Sequence, residues 1–318
     1  ELSVKIHGDE HAQVGLALNN LAEVHRNMGN YKEALPLYNR ALAVNEKTAG
    51  KDHHSTALAL NNLAQLFRNM SRFEEALPLY ERARKIYINV HGAQHPYVAT
   101  CSNNLAGCHR NMGNYDQALP LYQEALAINE GMHSPGHPNV ALCCNNLAEL
   151  HRNMGTYDEA EPLYLRALLI YETVHGKEHP HVATGLSNMA ELYRNQGKHD
   201  QCPPLYERAL SIYEKVHGKE HPLLASCMSN MAGCLKHMKR FEEAQLLYER
   251  ALAIYEKVHG KEHTSVAGGL MGLGALYYSM GKYKEALSLY KRAFTIYEKF
   301  NGTDHQTTSN ARKWLTAV

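Results

Sequence analysis

Histidine and glutamate occur together at a spacing that some zinc enzymes use. In such enzymes two imidazoles on one helix face bind zinc, a third side chain completes the site and the glutamate acts as a base. His175, Glu178 and His179 fit this H-x-x-E-H pattern, which recurs at 7–11, 217–221 and 259–263. Gly176 interrupts the pattern and Pro180 follows it. We therefore predict a connector between two helices, with no metal site.

Other catalytic chemistry has no support in the sequence. No serine or cysteine stands in a strand-turn-helix elbow, and no glycine-rich loop suited to a phosphate group is present. We predict a cytoplasmic protein that is not an enzyme and needs no cofactor. The seven cysteines are expected to be small core thiols in a reducing compartment; they are Cys101, Cys108, Cys143, Cys144, Cys202, Cys227 and Cys234.

The composition argues against nucleic-acid and membrane partners. Lys and Arg number 33 and Asp and Glu number 32, so the formal net charge is only +1, whereas nucleic-acid-binding domains carry a basic excess. No run of about 18 apolar residues is present, which is the length that a membrane-spanning helix requires. The 318 residues are 44% hydrophobic, which suffices for a large core.

Histidine also marks a period in the chain. It stands every 42 residues, without insertion or deletion, at His11, His53, His95, His137, His179, His221, His263 and His305. A fixed period of this length is typical of stacked repeats, since one repeat alone cannot bury its apolar face. We expect residues 1–10 to be the tail of a preceding repeat and 305–318 to be a partial repeat or capping helix. Seven repeats lie between them: 11–52, 53–94, 95–136, 137–178, 179–220, 221–262 and 263–304.

Each repeat is predicted to contain two helices. In the fifth repeat Leu186, Met189, Ala190 and Tyr193 recur at helical spacing, and Gly197 supplies a stop. The second helix is expected to begin with a capping box that satisfies its first amides, formed by Asn30 with Glu33 and by Thr156 with Glu159. A recurring tyrosine on this helix is expected to pack between helices: Tyr38, Tyr80, Tyr122, Tyr164, Tyr206, Tyr248 and Tyr290.

The repeat resembles the tetratricopeptide repeat. It contains Leu-Asn-Asn-Leu-Ala at 18–22, Gly-x-Tyr at 29–31 and Ala-x-x-x-Tyr-x-x-Ala-Leu at 34–42. The 42-residue length, with recurring Arg-Asn-Met-Gly and Gly-x-x-His-Pro, is similar to the repeats of kinesin light chains and nephrocystin-3-like proteins. The resemblance implies an all-α, right-handed superhelical solenoid of helix-turn-helix repeats. It also implies that the first helices line a concave groove that holds an extended peptide.

A polar stripe follows the predicted first helices. Asn19, Glu23 and Arg26 fall at i, i+4 and i+7, and Asn20 and Asn27 are seven residues apart. An amide both donates and accepts hydrogen bonds, so a row of amides suits the backbone of an extended peptide. Alternatively, each asparagine bridges adjacent repeats through the backbone. The candidate groove amides are Asn20, Asn62, Asn104, Asn146, Asn188 and Asn230, together with Asn69, Asn111 and Asn153.

Arginine recurs on the same stripe. Guanidinium groups along one wall favour an acidic or phosphorylated ligand, because each can form two hydrogen bonds with a carboxylate or phosphate. The alternative is a solvated face on which each arginine pairs with a nearby glutamate, such as Glu23, Glu149 or Glu191. The candidate groove arginines are Arg26, Arg68, Arg110, Arg152 and Arg194.

These patterns predict a scaffold or adaptor whose groove binds an extended, acidic peptide. The expected partner is a protein or peptide with an acidic or aromatic linear motif, and the resemblance implies cargo recognition of the kinesin-light-chain type. Two other hypotheses stay open: a ligand-sensing array in a larger nucleotide-dependent signalling protein, and a structural spacer whose stripes serve packing alone. Exposed terminal repeats also offer surfaces for self-association.

Overall fold

The chain is α-helical throughout the part that the structure describes. The computed structural model describes residues 11–303 and 306–317, which contain fifteen α-helices, one short 3₁₀ helix at His199–Gln201 and no strand. The predicted all-α fold is therefore confirmed. The expected tail of a preceding repeat, at 1–10, lies outside the described residues.

The chain divides into two compact units, one ending at Thr156 and the other beginning at Tyr157. The described helices of the N-terminal unit are α1 (Ala12–Asn27), α2 (Tyr31–Thr48), α3 (His54–Asn69), α4 (Phe73–His91), α5 (Pro96–Asn111), α6 (Tyr115–Met132) and α7 (Pro138–Met154). Those of the C-terminal unit are α8 (Tyr157–His175), α9 (Pro180–Asn195), α10 (Cys202–His217), α11 (Pro222–His237), α12 (Phe241–His259), α13 (Thr264–Ser279), α14 (Tyr283–Asn301) and α15 (Gln306–Ala317).

The first helices of successive pairs contact one another within each unit. In the N-terminal unit α1 lies against α3, α3 against α5, and α5 against α7. In the C-terminal unit α9 lies against α11, and α11 against α13. The first helices of each unit therefore form one face, and we call the face of α1, α3, α5 and α7 the N-terminal face.

The second helices contribute the predicted tyrosines to the core. Each ring is flanked on its own helix by small residues such as Ala34 and Ala41, which are fully buried. All seven cysteines are buried free thiols. The core tyrosines are at most 6% exposed; they are Tyr38, Tyr80, Tyr122, Tyr164, Tyr206, Tyr248 and Tyr290.

The recurring histidines begin the first helices. In each of the seven described copies the Nδ1 atom accepts a hydrogen bond of 3.1–3.2 Å from the backbone N–H two residues later. This bond satisfies one of the amides that a helix start leaves unpaired. Pro180 occupies the first turn of α9, where its missing N–H costs no hydrogen bond. The 42-residue period thus follows a structural role of histidine, which the sequence pattern alone did not indicate.

The capping box predicted at Asn30 is wrong. Asn30 precedes α2 with φ −81° and ψ 65°, and its side chain makes no capping hydrogen bond. The residue belongs to the turn that closes α1, in which its backbone N–H donates to the oxygen of His25 at 2.8 Å and Gly29 has φ +77°. Because the closing turn fixes the backbone here, the position does not require a capping side chain. Arg72 holds the equivalent position of the next repeat and pairs with Glu75.

Candidate functional site

The candidate residues lie on the first helices, at different depths. Asn69, Asn111 and Asn153 are exposed, and so is Asn20. The five candidate arginines are half-buried, as are the remaining amides of the Asn20 series in both units. The N-terminal face therefore presents its exposed amides to solvent, whereas its arginines are largely packed: the side chains of Arg26, Arg110 and Arg152 are 9%, 16% and 15% exposed.

The amides of the Asn20 series bridge neighbouring first helices. Three such bonds are described in the N-terminal unit: Asn62 donates to Asn19 at 3.1 Å, Asn104 to Asn61 at 3.3 Å and Asn146 to Asn103 at 2.9 Å. The bridge runs between side chains and not through the backbone. We call these bonds the asparagine ladder. Each donating amide retains a second N–H, because an NH₂ group carries two hydrogens.

Serine replaces the accepting asparagine in the C-terminal unit. Ser187 stands 42 residues after Asn145, and its hydroxyl donates to the carbonyl oxygen of Ala183 at 2.9 Å. Asn188 and Asn230 keep the place of the donors, on α9 and α11. The three rungs of the asparagine ladder described above all lie in the N-terminal unit.

Most of the candidate arginines pair with glutamates of the same face. Arg26 pairs with Glu23 at 3.3 Å, and Arg194 with Glu191 at 2.5 Å. These are the intra-helix pairs of the solvated-face alternative.

One carboxylate of the N-terminal face serves two arginines. Glu149 in α7 pairs with Arg110 in α5 and lies 3.8 Å from Arg152 in its own helix. The pair with Arg110 joins neighbouring repeats, as the ladder does.

Arg68 differs from these arginines. Its guanidinium donates to the side-chain oxygen of Asn104 at 3.2 Å, and within the described part of the chain no carboxylate lies within 4.0 Å of it. Arg68 therefore carries the least compensated charge of the candidate residues on this face.

A cavity of about 340 Å³ opens between α3, α5 and α7. Its lining includes Arg68, Asn104, Arg110, Asn111 and Asn146, five of the predicted site residues, and no acidic residue. The cavity exists at this place because Gly107 has no side chain. We call it the Gly107 pocket.

The floor of the Gly107 pocket is a tyrosine. Tyr122, from α6, is 2% exposed and also lines the cavity. Burial raises the pKa of its hydroxyl to about 12, against the opposing effect of Arg110 and Arg68. The hydroxyl therefore keeps its proton at neutral pH and is a hydrogen-bond donor.

The sequence analysis identified the polar residues of this pocket but missed Gly107 and Tyr122. Tyr122 was predicted to pack between helices, and its burial confirms this. That prediction gave no role to its hydroxyl. The available signal was that glycine stands in the third repeat at the position where the fourth and fifth repeats have Glu149 and Glu191. This difference indicates a pocket only when the neighbours of α5 are known.

The H-x-x-E-H segment lies between two helices, as predicted. His175 ends α8, Gly176 has φ +84° and His179 caps α9. The two imidazoles stack with centroids 4.3 Å apart, and Glu178 pairs with Lys215 at 2.9 Å. Among the described residues, no group of three or more His, Cys, Asp or Glu side chains is arranged to hold a metal ion.

Comparison with known families identifies the repeat. The tetratricopeptide repeat family matches residues 13–88, 55–131, 139–201 and 181–257, and a second tetratricopeptide repeat profile matches 266–307. The chain therefore belongs to the tetratricopeptide repeat family. A search of curated proteins finds no match.

Several solved structures have a similar fold. BtubC (BKLC) from P. vanneervenii is 24% identical, with a TM-score of 0.56, over 74% of this chain and 92% of that one. A putative kinesin light chain of Podosopora anserina, with nearly identical TPR-like repeats, is 23% identical, with a TM-score of 0.55, over 65% and 99%. A Rap protein complexed with Competence and Sporulation Factor is 16% identical, with a TM-score of 0.67, over 89% and 75%. At these identities the likeness concerns the fold.

The described helices were also compared with the requirements of a lipid bilayer. None of them is both long enough and apolar enough to cross a membrane.

Proposed function

We propose that the N-terminal face binds an extended, acidic segment of a partner protein, so that the chain acts as an interaction scaffold or adaptor. Membership of the tetratricopeptide repeat family supports a role in protein interaction. A structure with this fold holds a bound factor, the Rap protein complexed with Competence and Sporulation Factor. Because that protein is 16% identical to this chain, it supports the proposal through the shared fold.

The Gly107 pocket carries the proposal. Two guanidinium groups, Arg68 and Arg110, and four asparagines line a cavity that contains no acidic lining residue. Guanidinium groups bind carboxylates with charge-assisted hydrogen bonds, which are roughly twice as strong as neutral ones. A ligand that places acidic side chains here gains bonds that the free protein lacks.

The remaining candidate residues have distinct proposed roles. Exposed Asn69, Asn111 and Asn153 contact the backbone of the bound segment, since an extended peptide presents both donors and acceptors. The Asn20 series is proposed to contribute its second N–H groups while the first ones hold the ladder. Leu142, which lines the pocket and is 47% exposed, offers an apolar contact to an aromatic residue beside the acid.

A selection from a library of disordered-region peptides tests the proposal. The parent chain is compared with an Arg68→Gln, Arg110→Gln variant, which loses two charges of the pocket. An Arg72→Gln, Arg82→Gln variant is the matched control, because it loses one charge just before α4 and one within α4, both outside the N-terminal face. We expect acidic peptides to be enriched by the parent and the control but not by the pocket variant.

Other outcomes favour the other hypotheses. Enrichment of acidic peptides by all three proteins would place binding elsewhere on the chain. No enrichment by the parent would contradict the proposal and favour a structural spacer or a sensor of a non-peptide ligand.

A further inference from the structure

Two glutamates of the first helices are held by arginine and tyrosine donors. Glu149 and Glu191 stand at the same place of consecutive repeats, 42 residues apart. Glu191 pairs with Arg194 at 2.5 Å and accepts a hydrogen bond of 2.7 Å from the hydroxyl of Tyr206. Glu149 pairs with Arg110, which lies 39 residues earlier on the preceding first helix. At this place Glu149 thus receives a guanidinium of the preceding repeat, and Glu191 receives a tyrosine hydroxyl of its own repeat.

Gly107 occupies this place in the third repeat, 42 residues before Glu149. A Cβ atom built on Gly107 would lie 3.4 Å from the guanidinium Nη1 of Arg68 and 3.5 Å from the hydroxyl of Tyr122. Arg68 precedes Gly107 by the same 39 residues that separate Arg110 from Glu149, and Tyr122 is the counterpart of Tyr206. The two kinds of donor are thus present at Gly107, but the carboxylate is missing.

The donors around Gly107 have unused hydrogen-bonding capacity. Arg68 donates to Asn104, and a guanidinium has five N–H donors. Tyr122 is 98% buried, being 2% exposed, and its hydroxyl forms no hydrogen bond with any residue that the structure describes. The tyrosine lines the cavity, so its hydroxyl is available to a ligand there.

We propose that the Gly107 pocket binds the carboxylate of an aspartate or glutamate side chain of the partner segment, with Arg68 and Tyr122 as its donors. The incoming carboxylate takes the position that Glu149 and Glu191 fill from within in the following repeats. The proposal rests on the proposed function and adds the place at which one acidic side chain of the ligand binds.

The Gly107→Glu variant tests this directly. It supplies the missing carboxylate from the chain itself, on the pattern of Glu149, and should therefore close the pocket without disrupting the fold. Gly107→Ala adds only a Cβ atom at an ordinary contact distance and leaves both donors available. Gly233→Glu is the matched control. Gly233 holds the same place in the sixth repeat, on α11, and has Arg194 and the hydroxyl of Tyr248 beside it, but Arg194 is already paired with Glu191.

The first probe is acetate, titrated into ¹⁵N-labelled protein against chloride at constant ionic strength. We expect saturable shifts at the Gly107 amide and the Arg68 side chain with acetate and not with chloride. The shifts should persist in Gly107→Ala and Gly233→Glu and be absent in Gly107→Glu. Equal shifts with chloride, or unchanged acetate shifts in Gly107→Glu, would overturn the proposal.

The second probe is an acidic peptide from the library selection, amidated at its C-terminus so that only side-chain carboxylates are present. Loss of a charged hydrogen-bonding partner predicts about ten- to a hundredfold weaker binding to Gly107→Glu, with little change for the two controls. If the peptide binds Gly107→Glu as tightly as the parent, this inference fails while the proposed function stands. If no peptide is enriched but acetate occupies the pocket, the proposed function fails and the carboxylate site stands.

Discussion

The side-chain amide of Asn146 in α7 donates a hydrogen bond of 2.9 Å to the side-chain oxygen of Asn103 in α5. The corresponding bonds from Asn104 and Asn62 join the first helices before them. Such a bond contributes about 1 kcal/mol, and more is lost when a partner is left unpaired. The polar stripe of the N-terminal face therefore holds neighbouring repeats together.

Removing one rung of the asparagine ladder should destabilise the fold. Asn146→Ala leaves the oxygen of Asn103 without its partner, at an expected cost of about 1–2 kcal/mol in the free energy of unfolding. Asn153→Ala, at an exposed position of the same helix, should change it by less than about 0.5 kcal/mol. Urea denaturation of the two variants measures the difference. Equal stability of the two would show that the ladder contributes nothing.

Core truncation should have a larger effect. Leu105, in α5, is 5% exposed and packs in a cluster with Cys108 and Tyr80. Leu105→Ala should cost about 2–5 kcal/mol, the transfer free energy plus that of the cavity left behind. Thermal unfolding checks this, and a loss below about 1 kcal/mol would mean that the repeat repacks around the cavity.

Stability should fall as the pH is lowered, because histidines cap the first helices. Burial, together with a neighbouring histidine, lowers the pKa of four of these caps below the usual value; they are His95, His179, His221 and His263. Below a pH of about 6.5 these histidines bind protons more readily in the unfolded chain than in the folded protein, where their pKa is lower. The free energy of unfolding should thus be constant above that pH and decrease below it.

The melting temperature at pH 7.5 and at pH 5.5 measures this effect. A variant with asparagine at the four capping positions keeps a side-chain acceptor at the helix start but does not titrate. It should lose less stability than the parent between the two pH values. An equal loss in both proteins would assign the pH dependence to other groups.

Glu149 should compete with an acidic ligand for the arginines of the N-terminal face. It pairs with Arg110 and lies near Arg152, so Glu149→Gln releases positive charge beside the pocket. We expect a several-fold gain in affinity for an acidic peptide, measured by titration calorimetry, with a small loss of stability. Weaker binding would indicate that Glu149 positions Arg110 for the ligand instead.

Much of the fold follows from the sequence, because the 42-residue period and the helical spacing of apolar residues are local patterns. The structure confirms the two-helix repeats, the buried tyrosines and the connector at His175. The capping box at Asn30 was wrong because the preceding turn fixes the backbone there. This turn geometry is not apparent from the Asn-x-x-Glu spacing.

The candidate site was predicted less completely than the fold. The polar residues were found because they recur, but recurrence does not distinguish a ligand contact from a bridge between repeats. Asn104 is such a bridge and also lines the pocket. Gly107 was missed because a pocket is created by a missing side chain, and its donors come from α3 and α6.

The affinity of the selected acidic peptide for three proteins tests the central claim most directly. By fluorescence anisotropy, the peptide should bind the Arg68→Gln, Arg110→Gln variant at least about tenfold more weakly than the parent, because charged hydrogen bonds are lost. The Arg72→Gln, Arg82→Gln control should bind like the parent. If the pocket variant binds as tightly as the control, the N-terminal face is not the receptor for the acidic segment.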